Sequence, residues 1–345
     1  MHIAVIADPE IPVPPLYYGG IERVIDLLIK GLKKSGHTIS LFAHPDSVTN
    51  ADHFFAYRGT DQSRLSLIKN TFLVSKLLLN PPDVVHSFGR LAYLSALLPT
   101  KTPKIMSYQR EPTLSQIKKA VKFAGKNSMY FTGCSNYITN QFKAFAPAST
   151  VYNAVSTDNY QFKNTVDDDA PLVFLGRIEP IKGAHTAIKV AKQANRKLIL
   201  AGNIPPEASH YFDNEVAPFI DQKTVCYIGE VNDLQKNELL GNAAALLMPI
   251  EWNEPFGIVM AEALACGTPV IAFDRGAAKE VVINGTNGWL CRKSEDMVNA
   301  VARLNQINRM DCRMDAETRF SADALVNRFE KLYFELIQSK SNSKN

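Results

Sequence analysis

Short apolar segments alternate with amphipathic segments along almost the whole chain, and this alternation restricts the possible folds most strongly. His2–Ala7 has the length and composition of a buried strand, and Thr38–Ala43 is a second such run. Between them, apolar residues recur at helical spacing from Ile21 to Leu32, and Gly36 can cap the helix. This order predicts a βαβ unit and, where it continues, a parallel, doubly wound α/β sheet.

The same pattern continues to the end of the chain. Further strands are predicted at 83–86, 103–108, 129–133, 171–175, 197–202, 225–229, 243–249, 268–273 and 288–291, and further helices at 115–123, 184–194, 255–264 and 324–337. Because 345 residues exceed the usual size of one hydrophobic core, two domains are expected. We place them at 1–155 and 156–323, followed by a helix at 324–338 and a disordered tail at 339–345.

Composition excludes several classes of protein. Apolar residues make up 46% of the chain and charged residues 21%, which is ordinary for a soluble globular protein. The net charge of +4 does not by itself indicate nucleic-acid binding, although it allows contact with anionic ligands or lipid surfaces. The five cysteines lack metal-ligand spacing, and their odd number favours reduced thiols. With no signal peptide and no membrane-length apolar run recognised, we expect a cytoplasmic protein.

Two glutamates stand out in the second half of the chain. The stretch Glu254–Glu262 follows the apolar run Ala243–Pro249. Pro255 suits the first turn of a helix, so the sequence predicts a helix with Glu254 at its start and Glu262 about two turns inside it. A helix start attracts phosphate, whereas carboxylates are suited to accepting hydrogen bonds from sugar hydroxyls. An ordinary capped helix with two surface glutamates is the simpler interpretation of the pair alone.

A second candidate site lies at the start of the second predicted domain. Arg177 and Lys182 flank a turn between the predicted strand 171–175 and the predicted helix 184–194. Arginine can bind two phosphate oxygens at once, and lysine adds a compact charge. Together they predict an anion-binding corner, although each alone would be an ordinary surface cation.

The first half offers weaker candidates. Gly19 and Gly20 stand at the entrance of the first predicted helix, where glycine lets the backbone approach a ligand closely. A plain tight turn explains this pair about as well. His86 ends a predicted strand at the carboxyl edge of the sheet, and a structural histidine with satisfied hydrogen bonds is an equally good interpretation.

These motifs resemble those of a known enzyme family. Glu254 and Glu262 have the E-x7-E spacing of retaining glycosyltransferases, and the Glu-Pro-Phe-Gly motif that begins at Glu254 is similar to that of the group 1, or family 4, bacterial enzymes. The segment from Gly176 to Gly183 is among the most specific signals of that family. The resemblance implies the GT-B architecture, in which two Rossmann-like, doubly wound parallel-sheet domains face a central cleft. It also implies that the helix 324–338 packs back on the first domain.

The resemblance implies an activity of the hexosyltransferase type. Such an enzyme moves a sugar, with retention, from a nucleoside diphosphate sugar to a hydroxyl acceptor in bacterial polysaccharide, glycolipid or glycoconjugate synthesis. A UDP-sugar is favoured as donor, with a GDP-sugar as the alternative, and the acceptor would be a carbohydrate, a lipid-linked sugar or a small molecule. The nucleotide sugar is a substrate, so no cofactor, metal or nucleic acid is expected. A peripheral contact with the inner membrane surface is left open.

The resemblance also assigns roles to residues. Glu254 would hold a hydroxyl of the donor sugar, Glu262 would bind the ribose, and His86 would face the acceptor. The candidate catalytic residues are Glu254, Arg177, Lys182 and His86, and the candidate donor-binding residues are Gly19, Gly20, Arg177, Lys182, Glu254, Phe256, Gly257, Ile258, Val259 and Glu262. Gln109 stands where many relatives have a histidine near the transferred sugar, so that histidine's role is not carried over.

Other classes of protein fit parts of this pattern. A nucleotide-sugar 2-epimerase shares the implied fold but lacks this combination of Arg177, Lys182 and E-x7-E, and an inactive nucleotide-binding relative is a second alternative. A dinucleotide oxidoreductase is disfavoured because no G-x-G-x-x-G follows the first strand. The run Asp167–Asp169 matches a DxD metal motif, but its position in a polar linker indicates a solvated acidic segment.

Overall fold

The structure, a computed structural model, describes residues 1–16 and 19–342, without the side chains of 340–342. The chain forms two compact units: Met1–Ala154 together with the segment from Ala322 onward, and Val155–Ser321. The first division lies one residue before the predicted domain boundary, and the second lies two residues before the predicted return to the first domain. The last helix therefore belongs to the first unit.

The first unit is built on a parallel sheet. Its strands are β1 (His2–Ile6), β2 (Thr38–Ala43), β3 (His53–Ala56), β4 (Val84–Ser87), β5 (Lys104–Tyr108), β6 (Met129–Gly133) and β7 (Ala148–Thr150), in the spatial order β3-β2-β1-β4-β5-β6-β7. Every neighbouring pair is parallel. The helices described in this unit are α1 (Gly20–Lys34), α2 (Arg64–Ser75), α3 (Leu114–Phe123), α4 (Asn136–Thr139) and α12 (Ala322–Asn342).

Helix α12 completes the core of the first unit by packing on α1. The contact is close, because a Cβ atom at Gly31 of α1 would lie 2.2 Å from Cγ2 of Val326. At the end of the same interface, the His37 Nε2 and Glu330 Oε1 atoms lie 2.8 Å apart. Glycine at position 31 thus allows the two helices to approach each other closely.

The second unit has the same plan with a smaller sheet. Its strands are β8 (Leu172–Leu175), β9 (Leu198–Ala201), β10 (Val225–Tyr227), β11 (Ala245–Met248), β12 (Val270–Phe273) and β13 (Gly288–Cys291), in the spatial order β10-β9-β8-β11-β12-β13. All neighbours are parallel. Its α-helices are α5 (Ala184–Gln193), α6 (Ser209–Tyr211), α7 (Asp233–Gly241), α8 (Ile258–Ala265), α9 (Ala278–Val281), α10 (Ser294–Val301) and α11 (Arg309–Phe320).

Strand order reverses once in each sheet, between β1 and β4 in the first unit and between β8 and β11 in the second. In open α/β sheets, ligands bind beyond the carboxyl ends of the strands at such a switch point. Asp8 follows β1, Arg177 follows β8, and Glu254 lies in the loop after β11. Topology alone therefore singles out these three loops.

The structure corrects two local expectations. Helix α8 begins at Ile258 instead of Pro255, because Gly257 takes a left-handed conformation with φ of 79° directly before it. Glu254 thus lies in a loop before the helix, and Glu262 is only about one turn inside it. The predicted disordered tail is helical over 339–342, where α12 ends, and 343–345 lie outside the described residues.

Within the described part of the chain, the longest helix is α12, and no helix has both the length and the apolar character needed to cross a membrane.

Candidate functional site

Lys182 and Glu254 meet at the switch point of the second unit. The Lys182 ammonium lies 2.8 Å from Oε2 of Glu254, and the indole N–H of Trp252 donates to the same oxygen at 3.0 Å. The ammonium also lies 4.9 Å from the centre of the Trp252 ring, within range of a cation–π contact. The Lys182 and Glu254 side chains are only 17% and 15% exposed, so the pair is partly withdrawn from water.

Lys182 and Glu254 come into contact because the loops after β8 and β11 pack tightly against each other. The backbone N–H of Glu251 donates to the carbonyl of Ile181 at 2.9 Å, which ties the loop after β11 to the loop after β8. Gly276 supports Glu254 from the other side, since a Cβ at position 276 would lie 2.4 Å from the Glu254 carbonyl oxygen. The N–H of Ala277 donates to that carbonyl at 2.9 Å. The glutamate backbone is therefore fixed at both faces.

Arg177 occupies the predicted corner but is not free in this structure. Its guanidinium lies 2.9 Å from Oε1 of Glu179, and its side chain is 35% exposed. The 3-10 turn Pro180–Lys182 and Gly183 then lead into α5. Arg177 is thus paired with Glu179, as Lys182 is with Glu254. Each of the two cations is held in position by a carboxylate.

Glu262 is buried in a second charged group of the same unit. Its Oε1 accepts a hydrogen bond from the Tyr160 hydroxyl at 2.8 Å and lies 2.5 Å from the Lys236 ammonium. Burial and the adjacent Glu262 charge raise the pKa of Tyr160, so the phenol stays protonated and acts as a donor. Lys236 also lies 3.3 Å from Asp233. These contacts fix the carboxylate of Glu262 in position.

The other predicted donor-binding residues of this unit have mainly structural environments. Phe256 is 2% exposed and packs edge-on against Phe320, with ring centroids 5.5 Å apart. Ile258 and Val259 form the first positions of α8 and are partly exposed. Only the backbone of these residues, including the N–H groups at the start of α8, is suited to contact an anion.

In the first unit, the predicted glycine pair lies beside a buried acidic side chain. Gly19 is the N-cap of α1 and Gly20 its first residue. A Cβ at Gly19 would lie 3.0 Å from Oε2 of Glu22, whose side chain is buried. Burial raises the pKa of Glu22 to about 7, and the nearby charge of Asp8 adds to the shift. A carboxyl of this kind can both donate and accept a hydrogen bond near neutral pH.

Asp8 and Arg110 are two charged residues near Glu22. The Arg110 guanidinium lies 3.1 Å from Oδ2 of Asp8, whereas Oδ1 is buried and has no hydrogen-bond partner among the described residues. The Oε1 atom of the neighbouring Gln109 is also buried without a described partner. Burial raises the pKa of Asp8, and the positive charge of Arg110 opposes this shift. Two unsatisfied buried oxygens, one after β1 at the switch point and one after β5, indicate a place for hydroxyl donors.

His86 lies in the core of the first unit, and its side chain is not available to a ligand. It is completely buried, its Nδ1 lies 2.6 Å from the Tyr333 hydroxyl, and its Nε2 lies 2.6 Å from Ser107 Oγ. Burial lowers its pKa to about 3, so the ring is neutral. With both nitrogens engaged inside the protein, the predicted acceptor-facing role has no structural basis here, and we remove His86 from the catalytic set.

Comparison with known proteins identifies the family. The model for glycosyl transferases group 1 matches residues 156–320, and the model for glycosyltransferase family 4 matches residues 18–159. Together they extend over most of the chain and divide it near the boundary between the two units. The chain belongs to the group 1, or family 4, glycosyltransferases.

Individual relatives of this glycosyltransferase span its whole length. An uncharacterised glycosyltransferase of Methanocaldococcus jannaschii is 26% identical, with 94% of this chain and 97% of the relative covered. A sucrose-phosphate synthase from Thermosynechococcus elongatus has a TM-score of 0.80 at 18% identity, over 98% of this chain and 99% of the other. The HepE protein of Anabaena, solved with UDP and glucose, has a TM-score of 0.73 at 17% identity, over 95% and 98%. These similarities show that the fold is GT-B.

Several residues that contact the predicted site residues of this glycosyltransferase were not predicted from the sequence. Tyr160 and Lys236 hold Glu262, Trp252 holds Glu254, and Glu22 lies beside Gly19. Trp252 could have been noticed from its position two residues before Glu254. Tyr160 and Lys236 are 102 and 26 residues from Glu262 and carry no local signal.

The acidic run Asp167–Asp169 is exposed before β8, with 168 and 169 in a turn. Across the described residues, no group of three or more histidine, cysteine, aspartate or glutamate side chains is arranged to hold a metal ion.

Proposed function

We propose that this glycosyltransferase transfers a hexosyl group, with retention of configuration, from a nucleoside diphosphate sugar to a hydroxyl acceptor. The observation that carries the proposal is the Lys182–Glu254 pair with Trp252, at the switch point of the second unit. A carboxylate oriented by two donors is suited to accept a hydrogen bond from a sugar hydroxyl. The adjacent cations are suited to the charge that a departing diphosphate gains.

The second unit would bind the donor in two parts. Glu254 and Lys182 would hold the sugar and the phosphates, and Arg177 would exchange Glu179 for a phosphate oxygen. Glu262, held by Tyr160 and Lys236, would accept hydrogen bonds from the ribose hydroxyls. Backbone N–H groups at the start of α8 would add donors to the diphosphate. UDP-sugars are favoured as donors, since a structural relative was solved with UDP, and GDP-sugars are the alternative.

The first unit would bind the acceptor. Asp8 and Gln109 offer buried oxygens without described partners, and Glu22 titrates near neutral pH. These groups favour a neutral, polyhydroxylated acceptor such as a carbohydrate or a lipid-linked sugar. We place the reaction in bacterial polysaccharide, glycolipid or glycoconjugate synthesis on the cytoplasmic side of the membrane.

We also propose that transfer needs no divalent metal, since Arg177 and Lys182 can offset the charge of the leaving diphosphate. Transfer from UDP-glucose to a panel of hydroxyl acceptors should persist in excess EDTA, and NMR of the product should show the donor's anomeric configuration. Loss of activity in EDTA with recovery on adding Mg²⁺ or Mn²⁺ would overturn the metal-free proposal, and an inverted product would overturn retention.

Donor class can be tested separately by thermal unfolding. A ligand at a hundred times its Kd stabilises the folded protein by about 2.7 kcal/mol. UDP and UDP-sugars should raise the unfolding temperature more than ADP or free glucose do. Equal shifts with UDP and ADP would contradict the preference for uridine, and no shift with any nucleotide would contradict the assignment of a nucleoside diphosphate sugar as donor.

A further inference from the structure

Helix α2 of the first unit carries large apolar side chains on its solvent side. Leu65, Ile68 and Phe72 are 61%, 65% and 68% exposed, and Leu79, just after the helix, is 87% exposed. At 100° per residue, positions 65, 68 and 72 fall on one face of α2. The buried residues of α2 lie on the remaining sides of the helix and are Ser66, Asn70, Leu73 and Val74. The exposed stripe thus consists of large apolar side chains that face solvent in the described part of the chain.

The exposed face of α2 also carries positive charge. Lys69 and Lys76 lie at positions that fall beside Leu65 and Phe72 on the same side. Between Arg64 and Asn80 there is no aspartate or glutamate. Lysine can lay its aliphatic stem along an apolar surface while its ammonium reaches a polar layer. A stripe of apolar side chains flanked only by cations is typical of a helix that lies in a lipid interface.

Helix α3 repeats this combination. Lys118, Lys119 and Lys122 are on α3, and no acidic residue occurs between positions 112 and 157. Phe123 is 62% exposed and Phe145 44% exposed, and the Lys118 ammonium lies 4.1 Å from the centre of the Phe145 ring. Aromatic rings with lysines around them again match the composition of an interfacial surface.

Topology places α2 and α3 on the same side of the sheet. The connection from β3 to β4 through α2 and that from β5 to β6 through α3 run in the same direction across the strand order. Parallel crossovers are right-handed, so both helices cover one face, and α1, which runs the other way, covers the opposite face. The segment Leu91–Leu94 packs against α2, and the N–H of Gly125, just after α3, donates to the Leu98 carbonyl at 2.7 Å. The two helices therefore border one continuous surface.

The charge of the two units supports a specific occupant. The first unit has 21 lysines and arginines against 12 acidic residues, whereas the second has 17 against 22. The modest net charge of +4 thus conceals a strongly basic first unit. A basic surface with exposed apolar side chains matches the negative headgroups and the acyl boundary of a bilayer.

We propose that the face formed by α2 and α3 binds the surface of an anionic lipid bilayer. Leu65, Ile68, Phe72 and Leu79 would enter the headgroup and acyl boundary, and the lysines of both helices would contact the lipid phosphates. This inference rests on the part of the proposed function that brings the enzyme to a membrane. Binding to vesicles is measured without any nucleotide sugar, so its failure and the failure of the transfer reaction are recorded in separate assays.

The experiment is flotation of the purified full chain with vesicles of phosphatidylglycerol and phosphatidylcholine, and with phosphatidylcholine alone. The protein should float with the anionic vesicles, remain largely unbound with the neutral ones, and dissociate as salt is raised. Phe72→Ser combined with Leu79→Ser should weaken binding to anionic vesicles by tenfold or more, a rough value for losing the burial of two apolar side chains. Lys119→Glu combined with Lys122→Glu should also weaken it, on the order of tenfold.

Matched controls come from the second unit. Phe219 and Leu234 are 42% and 81% exposed, so Phe219→Ser combined with Leu234→Ser removes similar side chains elsewhere. Lys197→Glu combined with Lys223→Glu is the matching charge control. All four double variants should unfold at the wild-type temperature. Equal loss of binding in the control variants, or no preference for anionic vesicles, would overturn the inference.

A second copy of the chain is the competing occupant of this face. Sedimentation of the wild type and of the Phe72→Ser, Leu79→Ser variant should show the same monomeric species without vesicles. If the wild type self-associates and the variant does not, the face is a protein interface and the lipid assignment is wrong.

Discussion

The acidic residues near the switch point have different environments in the two units. In the second unit, Glu254 contacts Lys182 and Glu262 contacts Lys236, so each carboxylate has a cation within 3 Å. In the first unit, Glu22 is buried and its pKa is raised to about 7, while Asp8 contacts Arg110 through one oxygen only. Each of these carboxylates is thus paired with a cation in the second unit, whereas in the first unit the charge of Glu22 depends on pH near neutrality.

This difference matches the two halves of the proposed reaction. A donor with a permanently charged diphosphate needs a site whose charges stay constant through the reaction. A neutral hydroxyl acceptor needs groups that donate and accept hydrogen bonds, which a carboxyl that titrates near neutral pH supplies. The contrast predicts that substitutions in the second unit change turnover and nucleotide affinity, and that those in the first unit change the dependence on pH.

The largest effect is expected at the Lys182–Glu254 pair. Lys182→Ala and Glu254→Ala should each lower turnover on the order of 10²–10³-fold, as does the loss of one preorganised donor in a site of developing charge. Because the two side chains contact each other, the double variant should lose little more than either single variant. Lys189→Ala, which removes an exposed lysine paired with Glu295, is the control and should be neutral. Additive losses in single-turnover assays would show that the pair does not act as one unit.

The next effect concerns the stability of the first unit. Glu22 binds its proton more tightly in the folded than in the unfolded protein, because its pKa is about 7 when folded against an ordinary 4.5. The carboxyl therefore costs no stability below about pH 4.5, and the cost grows as pH rises through 7. Glu22→Gln should remove this cost and stabilise the protein at pH 8 by up to about 3 kcal/mol, with little change at pH 5.

Chemical unfolding of wild type and Glu22→Gln across this pH range measures the difference. Asp26→Asn, on the same helix, changes an acidic residue in an ion pair with Lys30 and serves as the control. A stability difference for Glu22→Gln that is constant with pH would mean that Glu22 is ionised throughout, and the contrast between the units would disappear.

A smaller effect separates the two glutamates of the second unit. Glu262→Ala should weaken binding of free UDP by roughly 1–3 kcal/mol, the cost of a lost hydrogen bond to a charged group. Glu254→Ala should leave this affinity nearly intact. Calorimetric titration of both variants with UDP measures these affinities. Equal losses would contradict the assignment of the ribose to Glu262 and of the sugar to Glu254. Tyr160→Phe, which removes only one donor to Glu262, should show a fraction of the Glu262→Ala loss.

The smallest effect on catalysis is expected at His86. His86→Gln should lower stability on the order of 1 kcal/mol, since it disturbs the contacts with Ser107 and Tyr333. Turnover of the folded enzyme should remain close to that of the wild type. A large fall in turnover without loss of stability would return His86 to the catalytic set.

The sequence predicted the α/β class because strands such as β2, β6 and β13 are apolar runs bordered by more polar segments. It did not predict α2, because its largest apolar residues are exposed while polar Ser66 and Asn70 are among its buried ones, so no single apolar face marks the helix. Short edge strands such as β3 and β7 were also missed, since few of their side chains are buried.

The site was predicted unevenly for a physical reason. Lys182 and Glu254 belong to motifs next to strand ends, and the sheet order brings those ends together. The partners of Glu262 come from distant segments, so only the fold reveals them. His86 resembled a ligand-binding residue because it ends the predicted strand 83–86, but in the structure it lies inside β4, with its ring nitrogens beside Ser107 and Tyr333. Tyr333 is 247 residues away in the sequence, so the sequence around His86 gives no sign of this contact.

The position of α12 has a consequence for how the chain acquires its structure during synthesis. The first unit is interrupted by the entire second unit, and α12, which packs on its α1, follows the second unit in the chain. While the ribosome is still translating, residues 155–321 can complete their own sheet, but the earlier segment must wait with an uncovered apolar surface. The first unit can therefore complete its core only after 322–342 have been synthesised, and until then the surface of α1 that α12 covers stays exposed.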